Sequence, residues 1–137
     1  MRVKFILPAL VEARNGPRRS IKYALFPPLG LATLAGYLDP DDKAELCDEH
    51  VDPLRLDDRP DLVAIEVYIT NARRAYAIAD HYRRLGIPVI LGGLHATACP
   101  EEALAHADHL VAGPAEEAWP RFLQDFRTGQ AARIYTS

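Results

Sequence analysis

Short unbroken apolar runs alternate along this chain with longer stretches whose apolar positions recur every three or four residues. The runs lie at residues 3–7, 62–67, 89–91 and 109–112, and residues 43–47 form a weaker, alternating one. Aliphatic and β-branched runs bounded by turn residues predict strands buried on both faces, the pattern of a parallel sheet. Between them, Leu31, Leu34, Ala35 and Leu38 share one helical face. Ala72, Ala75, Ala79 and Tyr82, widened by Ile78 and Leu85, share a second, and Trp119, Phe122, Leu123 and Phe126 a third. Pro100-Glu101-Glu102 predicts a short helix ending before Asp108.

The breaks between elements carry their own chemistry. Pro8 ends the first run, Pro27-Pro28 suits a helix start, and Asp39-Pro40-Asp41-Asp42 closes that helix. Asn71 is the expected N-cap of the second long helix, Gly86 its C-cap, and Gly129 the stop of the last. Residues 9–26, with Asn15, Gly16, Pro17, Arg18 and Arg19, lose periodicity and read as a long loop. Residues 53–60 read as a polar connection and residues 130–137 as a short mixed tail.

Five strands alternating with helices predict an α/β, three-layer flavodoxin-like (Rossmann-like) domain over residues 1–137, its parallel sheet ordered 2-1-3-4-5. That order places the ends of the first, third, fourth and fifth strands on one rim, where open α/β sheets hold ligands. The rim then gathers Pro8, Tyr68, Thr70, Asn71, Gly92, Gly93, Leu94, His95, Thr97, Gly113 and Glu116. Gly92-Gly93 interrupts the apolar run most sharply: it is either a tight turn or a wall without side chains for a bulky ligand.

Composition narrows the chemistry. Sixteen basic against 19 acidic residues give a net charge of -3 without a long run of one sign, which argues against nucleic acid. The pairs Arg18-Arg19, Arg73-Arg74 and Arg83-Arg84 read as solvated faces. No stretch has the roughly 20 apolar residues of a membrane span, and the start is no secretory signal, so a cytoplasmic protein is expected. Cys47 and Cys99 are expected as free thiols, and His50, His95, His106 and His109 as surface or pocket histidines, with no metal site. Cys99 and His95 are four apart, but Pro100 interrupts the helix that would align them as nucleophile and base. A phosphate loop and a dinucleotide fingerprint are both missing, and the first strand ends in Pro8-Ala9-Leu10 without a phosphate-receiver's acidic cluster.

Several stretches together resemble the cobalamin-binding domain at the N-terminus of many radical S-adenosylmethionine enzymes, among them anaerobic magnesium-protoporphyrin ester cyclase-like proteins and cobalamin-dependent methyltransferases. They are Pro27-Pro28-Leu29-Gly30, Leu34 to Leu38, Asp48-Glu49-His50-Val51, Pro60 to Ile65, Ile69-Thr70-Asn71, Ile87 to Thr97, Pro100-Glu101-Glu102 and Ala107-Asp108. The resemblance implies that the nucleotide tail of cobalamin enters between the first and third strands, with the corrin ring over the rim. Gly92-Gly93 would supply a bare wall and Thr70 a hydroxyl; Pro8, Tyr68, Asn71, Leu94, His95, Gly113 and Glu116 complete the expected cofactor-binding set.

Two departures from the family pattern matter. Gly113-Pro114-Ala115-Glu116 stands where family members often carry Gly-Glu-Gly-Glu, so only Gly113 and Glu116 carry over. Asp48-Glu49-His50-Val51-Asp52-Pro53 imitates half of the Asp-x-His-x-x-Gly motif that donates a cobalt ligand elsewhere, but follows the second strand instead of the first. The resemblance therefore implies base-off binding without histidine ligation, with Tyr68 either near the lower face of cobalt or a packed strand-end aromatic. The Cys-x-x-x-Cys-x-x-Cys signature of a radical S-adenosylmethionine cluster is not in the chain. The expectation is therefore a non-enzymatic cobalamin module, excised or stand-alone, serving a radical S-adenosylmethionine domain or chain. The alternatives are a corrinoid-dependent sensor or carrier and a small flavodoxin-like enzyme on an unrelated metabolite.

Overall fold

The structure is a computed structural model that describes residues 1–11, 20–21 and 27–137. Strand β1 (Arg2–Leu7) carries the first apolar run, and β2 (Leu10–Val11) and β3 (Ser20–Ile21) form a small antiparallel ladder beyond it. That ladder falls inside the expected loop; Asn15, Gly16, Pro17, Arg18 and Arg19 lie outside the described residues. Then follow α1 (Leu29–Ala35), β4 (Lys43–Asp48), β5 (Leu62–Glu66), α2 (Ala72–Arg84) and β6 (Val89–Gly92). The short helices α3 (Leu94–Ala98) and α4 (Pro100–Leu104) lead to β7 (His109–Ala112), α5 (Ala115–Arg127) and β8 (Ile134–Thr136).

The main sheet is parallel and ordered β4-β1-β5-β6-β7-β8. Its first five positions are the expected 2-1-3-4-5, and the flavodoxin-like architecture stands. The sheet has six strands where five were expected. Tail residues 134–136 pair with β7, and Tyr135 buries its ring on Phe122 and donates its hydroxyl to Asp125 at 2.8 Å. A three-residue strand with one inward side chain leaves too little alternation to announce itself in sequence.

Strand alternation divides the core between two faces. Val63, Ile65, Val67, Val89 and Leu91 point toward α2, α3 and α4, where Ala75, Ile78, Ala79, Tyr82, Ala96 and Ala103 meet them. Phe5, Leu62, Ala64, Ile90 and Val111 point toward α1 and α5, which contribute Leu31, Ala118, Trp119, Phe122 and Leu123. Lys4 is the exception, a 1% exposed cation in β1. Its ammonium donates to the Arg55 carbonyl (2.6 Å), the Asp58 carboxylate (2.7 Å) and the Tyr82 hydroxyl (3.0 Å), so all three donors are used. The network anchors the 53–60 connection against β1 and α2. No described helix is long and apolar enough to cross a membrane.

Candidate functional site

The carboxyl ends of β5, β6 and β7 form a row in which Glu66 pairs in register with Gly92, while Ala64 pairs with Ile90 two residues deeper. Between this row and helices α1 and α5 lies a cavity of about 400 Å³. Ala64, Ile90 and Val111 line its sheet side, Leu31 and Leu34 its α1 side, and Trp119 its α5 side; Glu66, Tyr68, Leu94, Thr97, Gly113 and Glu116 ring the outer part. Such volume, mostly apolar walls and a few polar groups fit a small-molecule pocket, a class of roughly 300–1,000 Å³. A broader hollow of about 530 Å³ at the opposite, amino ends of β6 and β7, flanked by Arg83, Arg84 and Asp108, is open to solvent and holds an Arg83–Asp108 ion pair at 3.2 Å.

The two central glycines do different things. A Cβ on Gly92 would lie 3.7 Å from the Val111 carbonyl and 3.8 Å from its Cβ, ordinary contact distances, and Gly92 is not in the positive-φ region. The fold therefore has room for a side chain there, and its absence opens the cavity. Gly93 has φ +101°, and its Cβ would come within 2.8 Å and 2.9 Å of the Val67 carbonyl oxygen and nitrogen. Only glycine suits that turn. It sends the chain directly into α3, whose His95 amide donates to the Val67 carbonyl at 3.0 Å. Helix α3 was not among the elements expected from the sequence, because the alternating polarity of Leu94 to Ala98 hides its single buried residue, Ala96.

Polar groups at the mouth are tied to one another. The Tyr68 hydroxyl donates to Glu66 Oε1 at 2.7 Å. Burial, reinforced by the Glu66 carboxylate, pushes the Tyr68 phenol up to about 12, so it is neutral and a donor at physiological pH. The Gly113 amide donates to Thr97 Oγ1 at 2.9 Å, fixing α3 against the turn after β7, where Gly113 has φ +87°. The Trp119 indole donates to the Leu34 carbonyl at 3.0 Å, spending its one polar atom on α1.

Of the residues expected at the site, Tyr68, Gly92, Gly93, Leu94, Gly113 and Glu116 border the cavity, as does Thr97. Pro8, Thr70, Asn71 and His95 do not. Asn71, 1% exposed, stands at the N-cap of α2 but makes no capping bond. Its amide donates to the carbonyls of Pro8 (3.2 Å) and Glu66 (3.4 Å), and its oxygen accepts from the Tyr68 amide (2.9 Å). That latch ties Pro8, after β1, to the end of β5, and the cavity lies over β5, β6 and β7. Thr70 is exposed. His95 turns to the α2 side, its Nε2 3.0 Å from Glu102, which also accepts from Tyr76 at 2.9 Å.

His50 is occupied as well. Its Nδ1 lies 2.8 Å from Asp48, and its Nε2 accepts from the Leu10 amide at 3.2 Å. Glu49 accepts from the Ala9 amide at 3.3 Å and pairs with Arg74 at 2.8 Å. Asp48-Glu49-His50 thus anchors the segment after β1. Cys47 and Cys99 are free, and burial, with the nearby Glu45, pushes the Cys47 thiol up to about 11. Among the described residues no three His, Cys, Asp or Glu side chains gather as a metal site.

Glu66 and the deep wall of Leu31, Leu34, Ala64, Ile90, Val111 and Trp119 escaped the sequence reading. A signal for Glu66 existed: it is the one charged residue in the strongest strand, in the same parity as Ala64. The rest read as plain core, because cavity-lining and core side chains share one hydrophobic pattern.

Comparison with known proteins adds family and fold. The sequence pattern of the B12 binding domain matches residues 23–123. Bacteriochlorophyllide d C-8(2)-methyltransferase of Chlorobaculum tepidum is 40% identical over 80% of the chain, which spans 24% of that protein. Bacteriochlorophyllide d C-12(1)-methyltransferase of the same organism is 33% identical over 55% of the chain and 16% of its own length. The chain therefore spans about a quarter or less of these relatives. The N-terminal domain of a hypothetical protein of Thermotoga maritima shares the fold, with TM-score 0.51 at 22% identity, over 87% of this chain and 93% of that one. The expectation of a non-enzyme is corrected by these relatives: both are named as methyltransferases, so the chain's similarity is to part of enzymes.

Proposed function

Because this chain belongs to the B12 binding domain family, we propose that the cavity beside Gly92 takes the nucleotide tail of cobalamin, with the lower base detached from cobalt and no histidine in its place. The observation that carries this reading is the cavity itself: an apolar slot at the strand ends, opened where Gly92 leaves out a side chain. Its size suits a flat heteroaromatic base and a sugar but not a corrin macrocycle, which has to lie outside. The mouth offers a surface for it, since Leu94 lines it and Leu29 and Ile69 adjoin the lining residues Gly30 and Tyr68, the three being 75%, 68% and 75% exposed. Exposed apolar residues grouped at one mouth fit a large, partly apolar ligand.

The chain's own residues divide the work. Leu31, Leu34, Ala64, Ile90, Val111 and Trp119 exclude water from the tail; Gly92 gives it room; Tyr68, held neutral, stands under the mouth. His50 has both ring nitrogens engaged and His95 faces away, which supports a lower face without imidazole. When bound, cobalamin supplies alkyl-transfer chemistry at its cobalt. The reading extends to the whole protein: the domain is the cobalamin-holding part of a methyltransferase, in a cytoplasmic system whose radical S-adenosylmethionine chemistry is supplied by another domain or chain. Similarity to the two named methyltransferases supports that extension.

The test is a hydroxocobalamin titration followed by visible absorption and gel filtration. Saturable uptake with a base-off spectrum is expected. No uptake at high micromolar cobalamin, or a bound spectrum with the lower base still on cobalt, would overturn the proposal.

A further inference from the structure

A carboxylate in the wall of a mostly apolar cavity needs a reason. Glu66 ends β5 on the face it shares with Ala64, and its Oε1 accepts from Tyr68 at 2.7 Å. Among the described residues that hydroxyl is the only hydrogen-bond donor to its side chain. An ionised carboxylate offers about four acceptor positions, and withdrawing it from water is costly unless donors fill them. Among the described residues no lysine, arginine or histidine borders the cavity: the other ionisable groups there are Tyr68, held neutral, and the exposed Glu116 at the start of α5, while α1, β6 and β7 contribute none. Trp119 and the Gly113 amide have spent their donors on Leu34 and Thr97. Among the described residues the cavity thus presents, on one wall, a half-buried carboxylate with spare acceptor capacity.

We propose that Glu66 is a ligand-binding residue that accepts a hydrogen bond from a donor on the nucleotide tail. The inference rests on the reading of the cavity as the tail's site. Two groups of the tail carry the required chemistry: a sugar hydroxyl, and the ring nitrogen of the detached base when protonated. In the second case the carboxylate also helps hold the base detached, because a nitrogen carrying a proton has no lone pair to offer a metal.

The experiment titrates the chain, Glu66→Gln and Glu66→Ala with hydroxocobalamin and with cobinamide, which lacks the nucleotide, after a thermal melt confirms each variant folded. Glu66→Ala is expected to weaken cobalamin binding about 10- to 100-fold, the scale of a hydrogen bond to a charged group, and to leave cobinamide binding within about twofold. If the partner is the protonated base, Glu66→Gln falls as far as Glu66→Ala, and wild-type affinity rises as pH is lowered from about 7.5 to about 5.5. If it is a sugar hydroxyl, Gln keeps most of the affinity and the pH dependence is flat. Unchanged cobalamin affinity in both variants, or equal losses for cobalamin and cobinamide, would overturn the role of Glu66 while leaving the cavity reading intact. Failure of the wild-type chain to bind cobalamin would overturn both.

Discussion

Adjacent glycines with opposite requirements allow a sharp separation of folding from binding. Gly92→Val places a branched side chain on the cavity floor, at a position where φ is ordinary and the first carbon would lie at an ordinary contact distance, 3.7 Å from its nearest neighbour. Valine suits a strand, and glycine in a strand costs roughly 0.5–1 kcal/mol relative to alanine, so the variant should fold with stability equal to or slightly above wild type. A ligand tail that uses the same space then meets an overpacked site, a penalty of about 1–3 kcal/mol, which is about 5- to 150-fold in affinity. Gly93→Ala does the reverse. Its Cβ would press to 2.8 Å from the Val67 carbonyl at φ +101°. Left-handed strain of about 1–2 kcal/mol and overpacking of about 1–3 kcal/mol add to a destabilisation of about 2–5 kcal/mol, a Tm lower by roughly 6–20 °C. Thermal melts and parallel titrations with hydroxocobalamin and cobinamide read both effects. A folded Gly92→Val chain that keeps cobalamin affinity within about twofold would refute the placement of the tail, and a Gly93→Ala chain as stable as wild type would refute the backbone argument.

The remaining predictions concern the supports of the site. Lys4→Met should destabilise the fold by about 3 kcal/mol in urea unfolding, because Asp58 and Tyr82 lose their buried cation. Burial pushes the Asp58 carboxyl up, but hydrogen bonds from Lys4 and Tyr82 outweigh it and hold it below its ordinary value. The pair's contribution is therefore present above the usual carboxylate range near about 4 and lost as pH falls through the depressed value, and Lys4→Met should lack that part of the acid destabilisation. Asn71→Ala, which unties Pro8 from the stem of α2, should cost about 1–3 kcal/mol, with amide exchange quickening first at Tyr68. In the reduced cobalt(II) form the bound cofactor should show an electron paramagnetic resonance spectrum without nitrogen splitting from an axial ligand. Such splitting, if abolished by His50→Ala, would show that the Asp48–His50 pair opens on binding.

Much of the rim was legible because backbone chemistry leaves marks in sequence. Gly93 and Gly113 need φ values that few other residues take, and both were picked out. Leu94, Tyr68 and Glu116 followed from their places after strand ends. Pro8, Thr70, Asn71 and His95 occupy the same rim by topology, yet Asn71 is consumed in a latch and His95 rotates to the other layer. Loop position says which end of the sheet a residue occupies, not which face it turns to.

The family follows the same logic. Its short motifs were readable in order along the chain, and the match over residues 23–123 agrees with them. The expectation of a non-enzyme was corrected by the names of relatives and not by the residues at hand, since a binding domain carries little trace of the reaction it serves.

The periodicity of apolar residues by itself determined the layered α/β fold, because period 2 and period 3.6 bury side chains in only a few compatible ways. The order of five strands came from choosing the flavodoxin-like arrangement among the doubly wound ones. Tertiary structure alone decided that the tail adds a sixth strand, that Asn71 ties the ends of β1 and β5 together, and that the cavity lies beside Gly92. Those outcomes depend on distances between segments far apart in the chain: 63 residues separate Asn71 from Pro8, and 85 separate Trp119 from Leu34. No local pattern records such distances, and so Glu66 could be seen as a charge in a strand but not as the acceptor in a cavity wall.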